Sequence, residues 1–283
     1  MSLNSVNTNL NAAIALQSLN MTSSQLAATQ KAISTGYRVA DATDDGAAYA
    51  VAQRVRSDVG ALASANQQLG NVKGLISTTI TGLDSVSKTL ITARQVLVKL
   101  GDSNTQGDQR AQYVAQYQSL MTNVKSFIQD AGYNNKSLIG DITGGNGSFG
   151  GVAVIRNEVG ATYGIAAFGG SSFFASVNFT STQLTSASSV VGLITATGTF
   201  LNALSTLGSQ LNTYGAAANY VDNQVSYNND KIDSLNGGLG SLIDADLAKE
   251  SAKLQALQIR QQLGTQALSI ANQAPQSLLS LFK

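Results

Sequence analysis

Three groups of residues in this 283-residue chain have the types and spacing to do chemistry. Asp44-Asp45 is one pair of carboxylates, and Asp244, Asp246 and Glu250 form a second acidic set. Such groups can work as acid–base pairs or hold a divalent cation. Each set stands where a helical run begins, a place where an anion is favoured by the helix dipole. A divalent-cation site at 244–250 is the weaker alternative, because a hard cation wants about six oxygen ligands. Capping and connecting are the roles expected of them. The string Gly145-Asn146-Gly147-Ser148-Phe149-Gly150 matches the dinucleotide pattern G-x-G-x-x-G. That pattern works only when a helix follows the last glycine and aims its N-terminus at the phosphates. Val152 to Ile155 follows instead and reads as a strand, so the string is expected to be a loop. Asn20, Asn135, Asn146 and Asn178 open N-x-[ST] sequons, which arise by chance in a chain this rich in Asn, Ser and Thr. They are not expected to carry sugar.

Composition removes whole classes of function. There is no His, so the commonest general base and metal ligand is missing. A metalloprotease motif H-E-x-x-H is therefore excluded. There is no Cys, hence no disulfide and no thiolate ligand. Charged residues make up 12%, against roughly 25% in an average soluble protein, and the net charge is +1. No basic excess exists to bind nucleic acid. No run of ~20 apolar residues predicts a membrane span. The N-terminus lacks the basic start and compact apolar core of a cleaved secretory signal. No catalytic residue, cofactor or metal is expected.

The elements carry the function instead. From Met1 to Gln30, and again from Gln261 to Phe282, no side chain is charged. The last segment sets Ile259, Leu263, Ala267, Ile270, Ala274, Leu278 and Leu281 three or four residues apart, one apolar stripe on a helix. Residues 3–33 read as helix on Leu3, Val6, Leu10 and Ile14, then Leu16, Leu19, Leu26 and Ile33. A stripe with no charged face behind it suits a helix surrounded by copies of itself. Subunit packing is expected on Leu3, Val6, Leu10, Ile14, Ile259, Leu263, Ile270, Leu278 and Leu281.

Between the ends, Ser34 to Gly46 reads as a connector with Thr43 or Asp44 as the next N-cap. A long helix follows on Val51, Val55, Val59, Leu62, Leu69, Val72, Ile76, Ile80, Leu83, Val86, Leu90, Leu97 and Leu100. A shorter one uses Tyr113, Tyr117, Leu120, Val124, Phe127 and Ala131. Residues 138–180 change character. Gly-rich loops bracket β-prone runs at Val152–Ile155, Tyr163–Ile165 and Phe173–Phe179, and the first two predict a hairpin about Asn157 to Gly160. The second half then carries a strict heptad. One row is Leu204, Leu211, Ala218, Val225, Ile232 and Leu239; the other is Leu207, Tyr214, Val221, Asn228, Leu235 and Leu242. Such rows predict left-handed coiled-coil packing, with these apolar and aromatic residues as its core. Asn228 either sets the register or is turned to solvent. The expected fold is mainly α: a long antiparallel helical rod with coiled-coil packing, paired terminal helices and a small β-hairpin region in the middle.

Specific strings at both ends resemble bacterial flagellin. The N-terminal ones are Leu19-Asn20, Leu26, Ile33-Ser34-Thr35-Gly36, Arg38-Val39 and Asp44-Asp45-Gly46-Ala47. The C-terminal ones are Asp244-Ala245-Asp246, Ala248-Lys249-Glu250, Gln261-Gln262-Leu263-Gly264, Leu268, and Ala271-Asn272-Gln273 to Leu278-Leu279. The likeness covers roughly 1–140 and 185–283 and is closest to short flagellins of alphaproteobacterial type. It implies an exported, extracellular, non-enzymatic subunit that polymerises into the flagellar filament for swimming. By that likeness residues 1–40 and 244–283 form the inner core, 41–137 and 181–243 the outer core, and 138–180 a small β and loop region. It implies copies of itself, an export chaperone, cap proteins and hook-associated proteins as partners. O-linked sugars on Ser and Thr between Thr143 and Thr199 also follow from it. The alternatives are a hook–filament junction protein and a surface glycan-binding homologue. The latter needs an aromatic cleft built from Tyr163, Phe168, Phe173 and Phe174. Flagellins of enteric type are recognised by toll-like receptor five through two arginines and two glutamates. Here Thr92, Arg94, Gln95 and Gln116 match those positions, so only Arg94 keeps a charge and weak recognition is expected.

Overall fold

The structure, a computed structural model, describes residues 9–280, with side chains through Gln273. The expectations on Leu3, Val6 and Leu281, and on the side chain of Leu278, lie outside those residues. The helices are α1 (Leu10–Thr35), α2 (Gly46–Leu100), α3 (Gly107–Asp130), α4 (Gly170–Val177), α5 (Ala187–Ile194), α6 (Thr199–Ile243) and α7 (Leu247–Ser280). The strands are β1 (Gly132–Tyr133), β2 (Lys136–Ser137), β3 (Ser148–Phe149), β4 (Val152–Ile155) and β5 (Thr162–Ile165). The chain forms two compact units, one of residues 1–57 and 233–283, the other of residues 58–232.

The second unit is built on repeats of seven. In α2 one row is Leu62, Leu69, Ile76, Leu83, Leu90 and Leu97, and the next is Ala65, Val72, Thr79, Val86, Ala93 and Leu100; all are buried. Thr79 is the one polar member, and its hydroxyl donates to the Leu75 carbonyl at 2.8 Å. In α6 Leu207, Tyr214, Val221 and Asn228 are buried, while Leu204, Leu211, Val225 and Ile232 are half-buried. The two helices run antiparallel, since Asn66 meets Asn228 and Lys73 meets Asp222 at 2.6 Å. Tyr117, Met121, Val124 and Ile128 of α3 complete the core. Arg110 closes the far end. It donates to the carbonyls of Leu100, Thr105 and Leu184 at 2.7–2.9 Å, which satisfies acceptors that helix ends leave open.

The hairpin forms as expected. Val152 pairs with Ile165 and Ile155 with Thr162, and Gly160 turns the chain at φ +80. Tyr163 stacks on Tyr220 of α6 at 4.0 Å between ring centres. The Gly145–Gly150 string is a loop, with β3 and β4 after it rather than a helix. The run Phe173–Phe179 differs from its strand expectation. Residues 170–177 are helix α4, which sets Phe173 and Val177 one turn apart in the core. Asp141 accepts from the Ser171 N–H at 2.7 Å and from its hydroxyl at 2.8 Å, pinning the first turn. Gly170 lets that turn approach the Ile139 carbonyl, where a Cβ would come within 2.0 Å. Tertiary contact overrides the β preference of the aromatic run.

Exposed faces of the long helices are rich in hydroxyls. Thr81, Ser85, Thr122, Thr206 and Thr213 each donate to the carbonyl four residues earlier, at 2.9–3.0 Å.

Candidate assembly surface

The first unit is made chiefly of α1 and α7, lying antiparallel. Asn9 caps α1 by accepting from the Ala12 N–H at 3.1 Å, and its own amide donates to the Ala271 carbonyl at 2.7 Å. Further along, Leu19 lies against Gly264, where a Cβ would stand 3.2 Å from the leucine methyl. At the closed end Tyr37 bridges Asp244, and the Ala245 N–H donates to the Gly36 carbonyl at 2.9 Å. Gly36 ends α1 with φ +75, a left-handed turn that a glycine adopts without steric cost. The expected pairing of the terminal helices is present in the described residues.

Two apolar rows run along α7. Leu254, Leu257, Gly264, Leu268 and Ala271 are half-buried or buried, with Leu257 3% exposed. On α1 the matching covered row is Ala12, Leu19, Leu26, Thr29 and Ile33. The second row of α7 is the one its sequence stripe picked out, and it is open: Ile259 is 58% exposed, Leu263 65% and Ile270 63%. Leu10 and Ile14, together with Leu16 and Met21, are exposed on α1. The stripe thus identified the uncovered row, and sequence reasoning passed over the covered one. Its three-and-four spacing was legible, but glycine, alanine and glutamine interrupt it.

A compact base holds this helix pair. Val39, Ala48, Ala52 and Ile243 form a small core, with Leu239 and Leu242 half-buried against it. Lys31 meets Asp41 at 2.6 Å and Asp44 at 2.8 Å. The bond to Lys31, helped by bonds from Thr43, holds the Asp41 carboxyl far below its ordinary value, and Asp44 is lowered by Lys31 and the Ala40 N–H. The Lys31 ammonium is raised in turn, chiefly by its bonds to Asp41 and Asp44. The N-cap of α2 is Asp45, not Thr43 or Asp44, and it accepts from the Ala47 and Ala48 N–H groups at 3.1 and 3.0 Å. Asp44 is committed to Lys31 instead. Asp246 caps α7 in the same way through Ala248 and Lys249. The acidic groups therefore cap and connect.

Thr92, Arg94, Gln95 and Gln116 are all exposed. The four aromatics of the glycan-binding alternative form no open platform. Phe173 is buried beneath Phe168 at 5.5 Å, Tyr163 is stacked on Tyr220, and Phe168 and Phe174 are half-buried in the core cluster.

The family model of the bacterial flagellin N-terminal helical region matches residues 6–143, and that of the C-terminal helical region matches residues 194–282. The chain is 33% identical over 287 residues to flagellin FljM of Caulobacter vibrioides, covering all of both proteins. Among solved structures it resembles a flagellin of Bacillus cereus, with a TM-score of 0.51 and 15% identity over 57% of this chain and 88% of that one. It also resembles a chain described as a flagellar hook-associated protein of Vibrio parahaemolyticus, with a TM-score of 0.52 and 15% identity over 71% of this chain and all of that one. At that identity both structures speak for the fold alone.

Proposed function

The chain belongs to the bacterial flagellins, and from that membership we infer that the open rows of α1 and α7 are where its copies pack. Flagellins are exported structural subunits, and this one assembles with itself into the extracellular filament that serves swimming. The observation carrying the packing inference is the division of α7 into two apolar rows. Leu257 and its neighbours are covered by α1, while Ile259, Leu263 and Ile270 face away uncovered. Full burial of each open side chain is worth about 1.5–3 kcal/mol, and no charge after Arg260 opposes it before Lys283. A patch on one copy that meets a different patch on the next propagates into an open helical polymer.

We assign residues 1–40 and 244–283 to the inner tube wall and 41–137 with 181–243 to the shell around it. Residues 138–180 form a small outer region. The heptad rows of α6, from Leu204 to Leu242, give every copy the same internal packing. An export chaperone, the filament cap and hook-associated proteins are its partners, and no residue is catalytic. Electron microscopy of the purified protein at rising concentration tests this. Long filaments are the expected result. Stable monomers that a sugar column retains would overturn it in favour of a glycan binder.

A further inference from the structure

The two long helices of the 58–232 unit carry apolar rows that do not by themselves single out one alignment. Both carry rows that repeat every seven residues. Sliding one helix by a heptad, about 10 Å, sets apolar side chains against apolar side chains again. One layer breaks this degeneracy. Asn228 occupies the row of Leu207, Tyr214 and Val221, and it is fully buried. Its amide donates to Asn66 Oδ1 at 2.8 Å and to the Arg156 carbonyl at 3.0 Å, and its oxygen accepts from Gln224 Nε2 at 2.9 Å. Asn66 in turn donates to Asn229 Oδ1 at 2.8 Å. Both donors of the buried amide are used, and they reach α2 and the hairpin together.

We propose that the Asn66–Asn228 pair selects the alignment of α2 against α6 and excludes the heptad-shifted packings that the apolar rows alone accept. A shift of seven residues would set Asn228 beside Val59 or Lys73 in place of Asn66. Its amide would then be buried without its partner, at a cost that apolar contact does not offset. A polar layer of this kind gives up stability for a single packing. Leucine at both positions is therefore expected to raise the melting temperature while admitting shifted alignments.

The chain has no cysteine of its own, which makes thiol-directed cross-linking clean. The Lys73–Asp222 pair reports the native alignment, so Lys73→Cys with Asp222→Cys should be joined by a short bis-maleimide linker that spans the reach of the ion pair. Lys73→Cys with Asn229→Cys, or with Gly215→Cys, reports a shift of one heptad in either direction. In the full-length monomer with both asparagines present, only the 73–222 bridge should form. In the Asn66→Leu/Asn228→Leu background a shifted bridge should appear as well. Exclusive 73–222 bridging in that background, or a lowered melting temperature, would overturn the proposal. Should the double variant not fold, Asn228→Val is measured in its place. Failure of both to fold would also overturn the proposal, because the amides would then be needed for folding itself. The readout is taken on monomers, so it is independent of how copies pack through α1 and α7.

Discussion

Asp44 closes on Lys31 at 2.8 Å across the turn from α1 to α2, and the same carboxylate accepts from the Ala40 and Asp41 N–H groups. This contact makes the connector sensitive to acid. The Asp41 and Asp44 carboxyls are both lowered from an ordinary 3.8. A lowered carboxyl stabilises the fold above its unfolded value and loses that effect as pH falls through its folded value. The connector should therefore hold at neutral pH and loosen progressively below about 3.8. Lys31, being raised, sets the opposite limit: its contribution is complete below 10.5 and fades in stronger base. Amide exchange at Ala40 and Asp41 measures this. Asp44→Asn should remove most of their protection already at pH 7.

Ile270→Asp should leave the 58–232 unit folded and stop polymer growth. The side chain is 63% exposed in the single chain, so the charge costs the monomer little. In the polymer it would be buried without a counter-ion. Circular dichroism should show an unchanged melt, and electron microscopy should show no filaments. Normal filaments would remove α7 from the proposed packing surface.

Two glycine substitutions should move stability in opposite directions. At Gly170 a Cβ would stand 2.0 Å from the Ile139 carbonyl oxygen and 2.7 Å from an Ile128 methyl. Gly170→Ala should destabilise by about 1–3 kcal/mol or more, the range for forced overpacking. Gly60 lies inside α2 with nothing within 4 Å of its Cβ position. Gly60→Ala should stabilise by roughly 0.5–1 kcal/mol through helix propensity and reduced unfolded-state entropy. Thermal melts of the two variants decide both signs.

Thr92, Gln95 and Gln116 are exposed and uncharged, and we propose, on the resemblance to flagellins of enteric type, that they stand where those present charge to toll-like receptor five. Purified monomer should activate a receptor reporter weakly, because charges of the receptor would be desolvated without partners, a loss of about 2–5 kcal/mol per pair. Thr92→Arg with Gln116→Glu should raise activation. Activation equal to that of an enteric flagellin before any substitution would refute this.

Much of this architecture is written in periodicity. The heptad of α6 was visible because leucine, valine and tyrosine fill its rows. The matching heptad of α2 looks like ordinary amphipathicity in sequence, because Ala65, Thr79 and Ala93 dilute its second row. Helix α4 reads as a strand in sequence, since Phe173 to Phe179 has β-prone side chains and its helix depends on Asp141, thirty residues from Ser171. Asn228 could not be placed from sequence alone. Whether a polar residue in an apolar row is buried depends on a partner, and Asn66 lies 162 residues away.

The hydroxyls of Thr81, Ser85, Thr122, Thr206 and Thr213 donate back to their own helices and so keep only their oxygen lone pairs for surrounding water or a neighbouring copy. Only 12% of the residues carry charge. Ionic screening reaches about 30 Å in 0.01 M salt and about 3 Å at 1 M, but here it has little charge to act on. Neighbouring copies neither repel strongly in fresh water nor need salt to approach. Assembly of the purified protein should therefore vary little between about 0.01 M and 1 M salt.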